Sequence, residues 1–195
     1  MVYFRSDDVK HWHPIPVVMV DDEEPNLETF EGEMKRNFKG RQYSCFGSLD
    51  EAYEAGLVES DRPFGLILDH DLGQDTSGKA IFGHTLSTKL RLTHRWGLAL
   101  PIVYFSGRML PEGDQGWLQF NFENGLLSPN FYAQKGPNTK IPDLVGALDA
   151  AFERSLPIFL EMGTRVQLDE WDSEQWRAIA NDFSGEYESG DSDLT

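Results

Sequence analysis

The sequence predicts an α/β protein: a doubly wound, five-stranded parallel sheet with a helical segment added at its C-terminal end. Three observations carry that expectation. Strand-like and helix-like stretches alternate five times along the chain, which argues for a parallel sheet covered on both faces. The central run, Phe64-Gly65-Leu66-Ile67-Leu68, is short and apolar throughout, as strands buried in parallel sheets are. Four of the five strands end on carboxylate, hydroxyl or ammonium side chains, and a parallel sheet gathers its strands' carboxyl ends on one edge, where ligands bind.

In chain order, the first strand is Ile15 to Val20, rich in β-branched residues and ending on Asp21-Asp22-Glu23-Glu24. Pro25 and Asn26 open a helix whose apolar face is Leu27, Phe30, Met34 and Phe38, with Gly40 closing it. Gln42 to Phe46 is the second strand. Ser48 and Glu51 have capping-box spacing, so a short helix is expected from there to about Leu57. Asp61-Arg62-Pro63 turns the chain into the third strand, which ends on Asp69-His70-Asp71. Gly73 to Gly78 reads as a polar loop. Lys79 to about Leu92 reads as a helix with Ile81, Phe82, Leu86 and Leu90 on one face. Leu100 to Phe105 is the fourth strand, followed by Ser106-Gly107. Residues 108–129 mix glycines with Trp117, Leu118, Phe120 and Phe122 and read as a loop with at most a short helix. Asn130 to Gln134 is the fifth strand, ending on Lys135-Gly136-Pro137, and Ile141 to Arg154 is the last helix of the domain.

Composition excludes several classes. The chain has 195 residues, 17 basic and 33 acidic, for a net charge of −16. A phosphate backbone repels such a chain, and no basic stripe offsets this. Nucleic acid is therefore not an expected partner. The single cysteine, Cys45, rules out an intrachain disulfide and reads as a small core residue. No run approaches the ~18 apolar residues of a membrane span, and the N-terminus carries no signal-peptide pattern. A soluble protein of the reducing cytoplasm is the expectation.

The strand ends define the candidate chemistry. Strand one supplies Asp21 and Asp22, strand three Asp69 with Asp71 two residues on, strand four Ser106, and strand five Lys135. Crowded carboxylates raise one another's pKa unless a cation neutralises them. A hard divalent ion with oxygen ligands suits them, and Mg²⁺ suits a site with few carboxylates and several waters. An ammonium and a hydroxyl beside such a site are the equipment for receiving a phosphoryl group on a carboxylate.

Residues from about Ile15 to Arg154 resemble the receiver domain of two-component response regulators. Val17-Val18-Met19-Val20-Asp21-Asp22-Glu23-Glu24-Pro25-Asn26 resembles that family's first strand and acidic pair. Leu66-Ile67-Leu68-Asp69 resembles its phosphoacceptor strand, Ile102-Val103-Tyr104-Phe105-Ser106-Gly107 its switch hydroxyl, and Phe131-Tyr132-Ala133-Gln134-Lys135-Gly136-Pro137 its lysine strand. The resemblance implies a flavodoxin-like sheet in the order 2-1-3-4-5. It implies that Asp69 accepts phosphate from a histidine kinase or phosphotransfer protein. Asp21, Asp22, Asp69 and the backbone carbonyl of Asp71 would bind Mg²⁺. Ser106 and Lys135 would contact the phosphoryl oxygens, and Tyr132 would change rotamer on activation. The signal would pass to a downstream protein by contact, with no catalysis beyond phosphoryl transfer to and from the chain itself. Homodimerisation is left open.

The chain departs from the family in three places. The loop after Asp69 is long, the gap from Ser106 to Lys135 is long and glycine-rich, and His70 stands between the two aspartates. Asp69-His70-Asp71-Leu72-Gly73 resembles a stretch of a divergent receiver-like group thought to process cyclic phosphates. The alternative function is therefore an enzyme acting on a cyclic phosphate or another phosphate ester, with His70 as acid/base or metal ligand. His70 is read here as a residue at the site's rim. A scaffold with an idle site is a third reading, against which the complete residue set argues.

The expected domains are an arm over 1–14, the receiver over 15–154, an extension with one helix over 155–185 and an acidic, disordered tail over 186–195. Leu156 to Leu160 reads as a strand or packing segment, and Asp172-Ser173 as a cap for a helix carrying Trp176, Ile179, Ala180 and Phe183. The extension is too short and too acidic for a DNA-binding output domain.

Overall fold

The fold is set by one five-stranded sheet. The computed structural model describes residues 14–74, 78–94, 96–97, 99–107 and 130–165. The expected arm (all but its last residue), the loop over 108–129, and the extension and tail from 166 onward lie outside them. The elements are β1 (Val17–Val20), α1 (Glu24–Asn37), β2 (Tyr43–Phe46), α2 (Leu49–Glu54), β3 (Gly65–Leu68), β4 (Asp71–Gln74), β5 (Ala80–Phe82), α3 (His84–Thr93), β6 (Ile102–Ser106), β7 (Asn130–Gln134) and α4 (Ile141–Arg165). The main sheet runs β2-β1-β3-β6-β7, every pair parallel. This is the flavodoxin-like order 2-1-3-4-5, as expected.

Alternation along the buried strands divides the core. Val18, Val20, Leu66, Leu68, Ile102 and Tyr104 face α2 and α3, packing with Ala52, Leu86 and Leu90. Val17, Met19, Ile67 and Val103 face α1 and α4, packing with Phe30, Met34, Val145 and Leu148. Arg41 braces the second layer: its guanidinium donates twice to Asp149, at 2.7 and 2.6 Å, and its Nε to the Ile15 carbonyl at 2.8 Å. Cys45 is half-buried and unpaired, its thiol pushed up to about 11 by burial. No helix among the described residues is long and apolar enough to cross a membrane.

Three boundaries differ from expectation. The short helix keeps its Ser48 cap, which accepts from Glu51 N–H at 3.2 Å, but Glu51 reaches back to the amide of Gly47, at 2.7 Å. It ends at Glu54 rather than near Leu57, because Gly56 adopts φ +72° while Leu57 and Gly56 donate to the carbonyls of Ala52 and Tyr53. Those two bonds form a Schellman stop.

The segment after Asp69 is the larger correction. Where a polar loop over 73–78 and a helix from Lys79 are expected, residues 71–74 and 80–82 instead pair as antiparallel strands, with Asp71 opposite Phe82 and Gln74 opposite Ala80, while 75–77 lie outside the described residues. Helix α3 starts only at His84. Ile81 and Phe82 fit helical spacing, yet Ile81 sits at the core margin and Phe82 is 37% exposed. At the C-terminal end, α4 continues through the expected break at Arg154, so Leu156 to Leu160 are helical. Pro157 normally argues against this, since it lacks an N–H.

His94 is in the core at 2% exposure. Its Nδ1 accepts the Trp96 N–H at 3.0 Å and its ring meets Phe64 edge-on. Burial pulls the imidazole down to about 4. The unfolded chain therefore takes up this proton first, and stability is lost as pH falls from about 6.5 toward 4, by up to about 3 kcal/mol. A His94→Gln variant should show a flatter urea-midpoint profile across that window. A profile as steep as the parent's would refute the assignment.

Candidate functional site

The carboxyl ends of β1, β3, β6 and β7 are joined at one edge. Asp69 N–H donates to the Val20 carbonyl at 2.9 Å, and Lys135 N–H to the Ser106 carbonyl at 2.8 Å. The residues following β1 and β3 are thereby held side by side, as are those ending β6 and following β7. Asp21 is fully buried, and Asp69 and Ser106 are 4% and 2% exposed. Asp22 stands at the surface beside them.

Lys135 is the hub. Its Nζ lies 2.6 Å from Asp69 Oδ2, 2.8 Å from Asp21 Oδ2 and 3.6 Å from the exposed Glu23. The other Asp21 oxygen accepts from Glu23 N–H and from Asn26 Nδ2, each at 3.0 Å. The other Asp69 oxygen accepts from Asp71 N–H at 3.3 Å. Burial pulls the Lys135 ammonium down, but its bonds to Asp21 and Asp69 outweigh that and leave its pKa raised. Burial pushes the Asp69 carboxyl up to about 6, with Lys135 opposing and Asp21 adding to the rise. Asp22 is also raised, by burial first and then by the charges of Asp21 and Glu23, against its own backbone bond and Lys135.

One ammonium therefore faces at least three carboxylates. Asp21, Asp22 and Asp69 each present an oxygen within 4.8 Å of the others. An all-oxygen set with excess negative charge suits a hard divalent cation, and Mg²⁺ fits it. A cavity of about 290 Å³ opens at this point, with Asp22, Asp69, Asp71, Gly73, Ser106 and Lys135 among its walls.

Sequence reasoning named Asp21, Asp22, Asp69, Asp71, Ser106 and Lys135, and all six lie at this edge. Tyr132 is half-buried on the neighbouring strand, paired in register with Tyr104. Its pKa is raised by burial and then by the Asp69 charge, which places the phenol within that carboxylate's field. Two features were missed. Asn26 fixes Asp21 from the first turn of α1, and only its spacing from Asp21 signalled this. The hairpin supplies a wall of the cavity: Gly73, at φ +76°, presents its Cα to Asp22, whose Oδ2 lies 3.1 Å from where a Cβ would stand.

The His70 ring sits among Phe82, His84 and Tyr104, with centroids 5.5, 5.9 and 6.4 Å away. The His70 carbonyl accepts the Gly83 N–H at 2.9 Å, tying the segment after β3 to the start of α3.

No protein-family model and no curated protein sequence matches this chain significantly. Among solved structures, an adenylate cyclase from Rhodopirellula baltica is similar over 80% of this chain and 98% of its own, at 15% identity and a TM-score of 0.49. RcsB from Salmonella enterica serovar Typhimurium, solved bound to the promoter rprA in the presence of phosphomimetic BeF3-, is similar over 68% of this chain and 97% of its own, at 19% identity and a TM-score of 0.48. Neither likeness assigns an activity. The fold assignment stands on strand order, register and the parallel sense of every pair: this chain is a flavodoxin-like doubly wound α/β protein.

Proposed function

We propose that the chain is a cytoplasmic receiver of a two-component phosphorelay, taking a phosphoryl group on Asp69 and signalling through protein contact. The observation that carries this reading is the position of Lys135, 2.6 Å from one buried carboxylate and 2.8 Å from another. Asp21, Asp22, Asp69 and the carbonyl of Asp71 are the groups proposed to hold Mg²⁺. When bound, the ion offsets phosphoryl charge.

The chain's own residues do the rest. An oxygen of Asp69 attacks phosphorus, the N–P bond of a partner's phosphohistidine breaks, and the imidazole keeps the electron pair. Lys135 exchanges its carboxylate contacts for a phosphoryl oxygen, and Ser106 donates its hydroxyl to another. Tyr132 repacks once Ser106 has moved. Later hydrolysis returns Asp69 to a carboxylate, with Asp71 placed to position the water. A histidine kinase or phosphotransfer protein is the proposed donor and a downstream protein the target. The phosphate-ester enzyme reading is less well supported, because the observed neighbours of the His70 ring are Phe82, His84 and Tyr104.

Incubation with acetyl phosphate and Mg²⁺ should add one phosphate per chain by intact mass, and none to Asp69→Asn. Omitting Mg²⁺ should also prevent uptake. A folded parent that takes up nothing, or an Asp69→Asn variant that takes up as much, would overturn the proposal.

A further inference from the structure

Strand β4 touches two of the acidic residues at once. At its start, Asp71 N–H donates to Asp69 Oδ1 at 3.3 Å. Two residues on, the Gly73 Cα stands against Asp22, so close that a Cβ there would lie 3.1 Å from Oδ2. Leu72, between them, turns the other way into the core, at 6% exposure, as strand alternation requires. One short strand therefore bridges the carboxylates that follow β1 and β3.

The pairing of β4 is irregular where this happens. Asp71 lies opposite Phe82 and Gln74 opposite Ala80, so three steps along β4 face two along β5. The extra residue makes a β-bulge, which bends a strand and re-aims it. Gly73 takes φ +76° within the bulge, a left-handed angle that glycine adopts without steric penalty. Position 73 thus requires glycine twice, for its backbone angle and for the approach to Asp22. Gly78, just before β5, shares only the first requirement. Its φ is +82°, yet among the described residues a Cβ there would meet only Gln74 Oε1, at 4.0 Å.

We propose that Gly73 is a positioning residue for the divalent ion, leaving Asp22 in the place Mg²⁺ demands and so setting the preference of the site for Mg²⁺ over Ca²⁺. The inference rests on the reading of Asp21, Asp22 and Asp69 as ion ligands. A Cβ at position 73 would push the Asp22 carboxylate aside by a few tenths of an ångström. Asp22 is exposed, so its side chain yields at little cost to the fold. The ion is less tolerant. Mg²⁺ demands near-ideal octahedral geometry at about 2.0–2.1 Å, whereas Ca²⁺ accepts irregular oxygen sets at about 2.3–2.6 Å.

Titration calorimetry of the full chain with Mg²⁺, and separately with Ca²⁺, tests this. Gly73→Ala should weaken Mg²⁺ binding about tenfold, the lower scale for losing a residue that supports a metal ligand, and Ca²⁺ binding less than about threefold. Gly78→Ala imposes the same backbone strain and should bind both ions as the parent does. In an Asp22→Ala background, Gly73→Ala should weaken Mg²⁺ by less than about twofold, because the displaced carboxylate is gone. Gly73→Asn carries the same Cβ on a residue that tolerates the left-handed region, so it should repeat the Mg²⁺ loss in a stable fold. A parent that binds neither ion would overturn the metal reading of the site and this inference with it. A parent that binds Mg²⁺ no more tightly than the Gly73 variants, a Gly78→Ala protein that loses as much, or an undiminished loss in the Asp22→Ala background would overturn this inference alone.

Discussion

Lys135→Ala should slow phosphoryl uptake by Asp69 about a hundredfold, the usual scale for losing one stabilising group at a developing charge. The same change should alter stability in a pH-dependent way. Lys135 is 14% exposed and faces Asp21 and Asp69 side chains that are 0% and 6% exposed. Removing one partner of a fully buried pair costs about 3–5 kcal/mol; partial exposure and a protonatable Asp69 reduce this to about 2 kcal/mol. The Asp69 carboxyl already stands at about 6, above its unfolded value. Its contribution is therefore fully present at low pH and is lost as pH rises through the folded pKa. Without the ammonium that pKa climbs further. The variant's deficit should be large at pH 8 and small at pH 5 in metal-free buffer, and Mg²⁺ should narrow it at pH 8. Equal uptake by variant and parent, or a deficit independent of pH, would show that Lys135 is not the counter-charge of this site.

Gly83→Ala should destabilise the domain by about 3 kcal/mol, the upper range for forcing a group into packed surroundings, and displace the segment that follows β3. Gly83 has ordinary helical angles, φ −57° and ψ −29°, where alanine normally stabilises by about 0.4–1 kcal/mol. Here the sign reverses, because a Cβ would stand 2.0 Å from the Asp69 carbonyl oxygen and 2.8 Å from Leu68 Cγ. The carbonyl is backbone and cannot rotate aside alone, so Asp69 must shift with it. Urea unfolding measures the first effect and phosphoryl uptake the second. A Gly83→Ala protein as stable as the parent would mean that the start of α3 does not press on the end of β3.

Much of this was legible in the sequence, because it depends on local signals. The buried strands announced themselves as short apolar runs, and the carboxylates, hydroxyl and lysine at their ends marked a candidate site. Ser48 marked its helix start correctly. The hairpin was not legible: Ala80, Ile81 and Phe82 satisfy a helical period as well as a strand one, and their pairing with residues 71–74 is a contact between segments. Helix α4 continues through Pro157 although that residue has no N–H to donate.

What the sequence determined alone is the inventory: five parallel strands, their side-to-side alternation, and the groups at their carboxyl ends, all consequences of covalent order and period. What only the tertiary structure decided is which of those groups share a counter-ion. Lys135 is 66 residues from Asp69 and 114 from Asp21, and only the strand order β1-β3-β6-β7 brings them within 2.8 Å. The physical reason is that a parallel sheet converts sequence separation into lateral spacing through its crossovers, while a carboxylate's pKa responds only to what lies beside it.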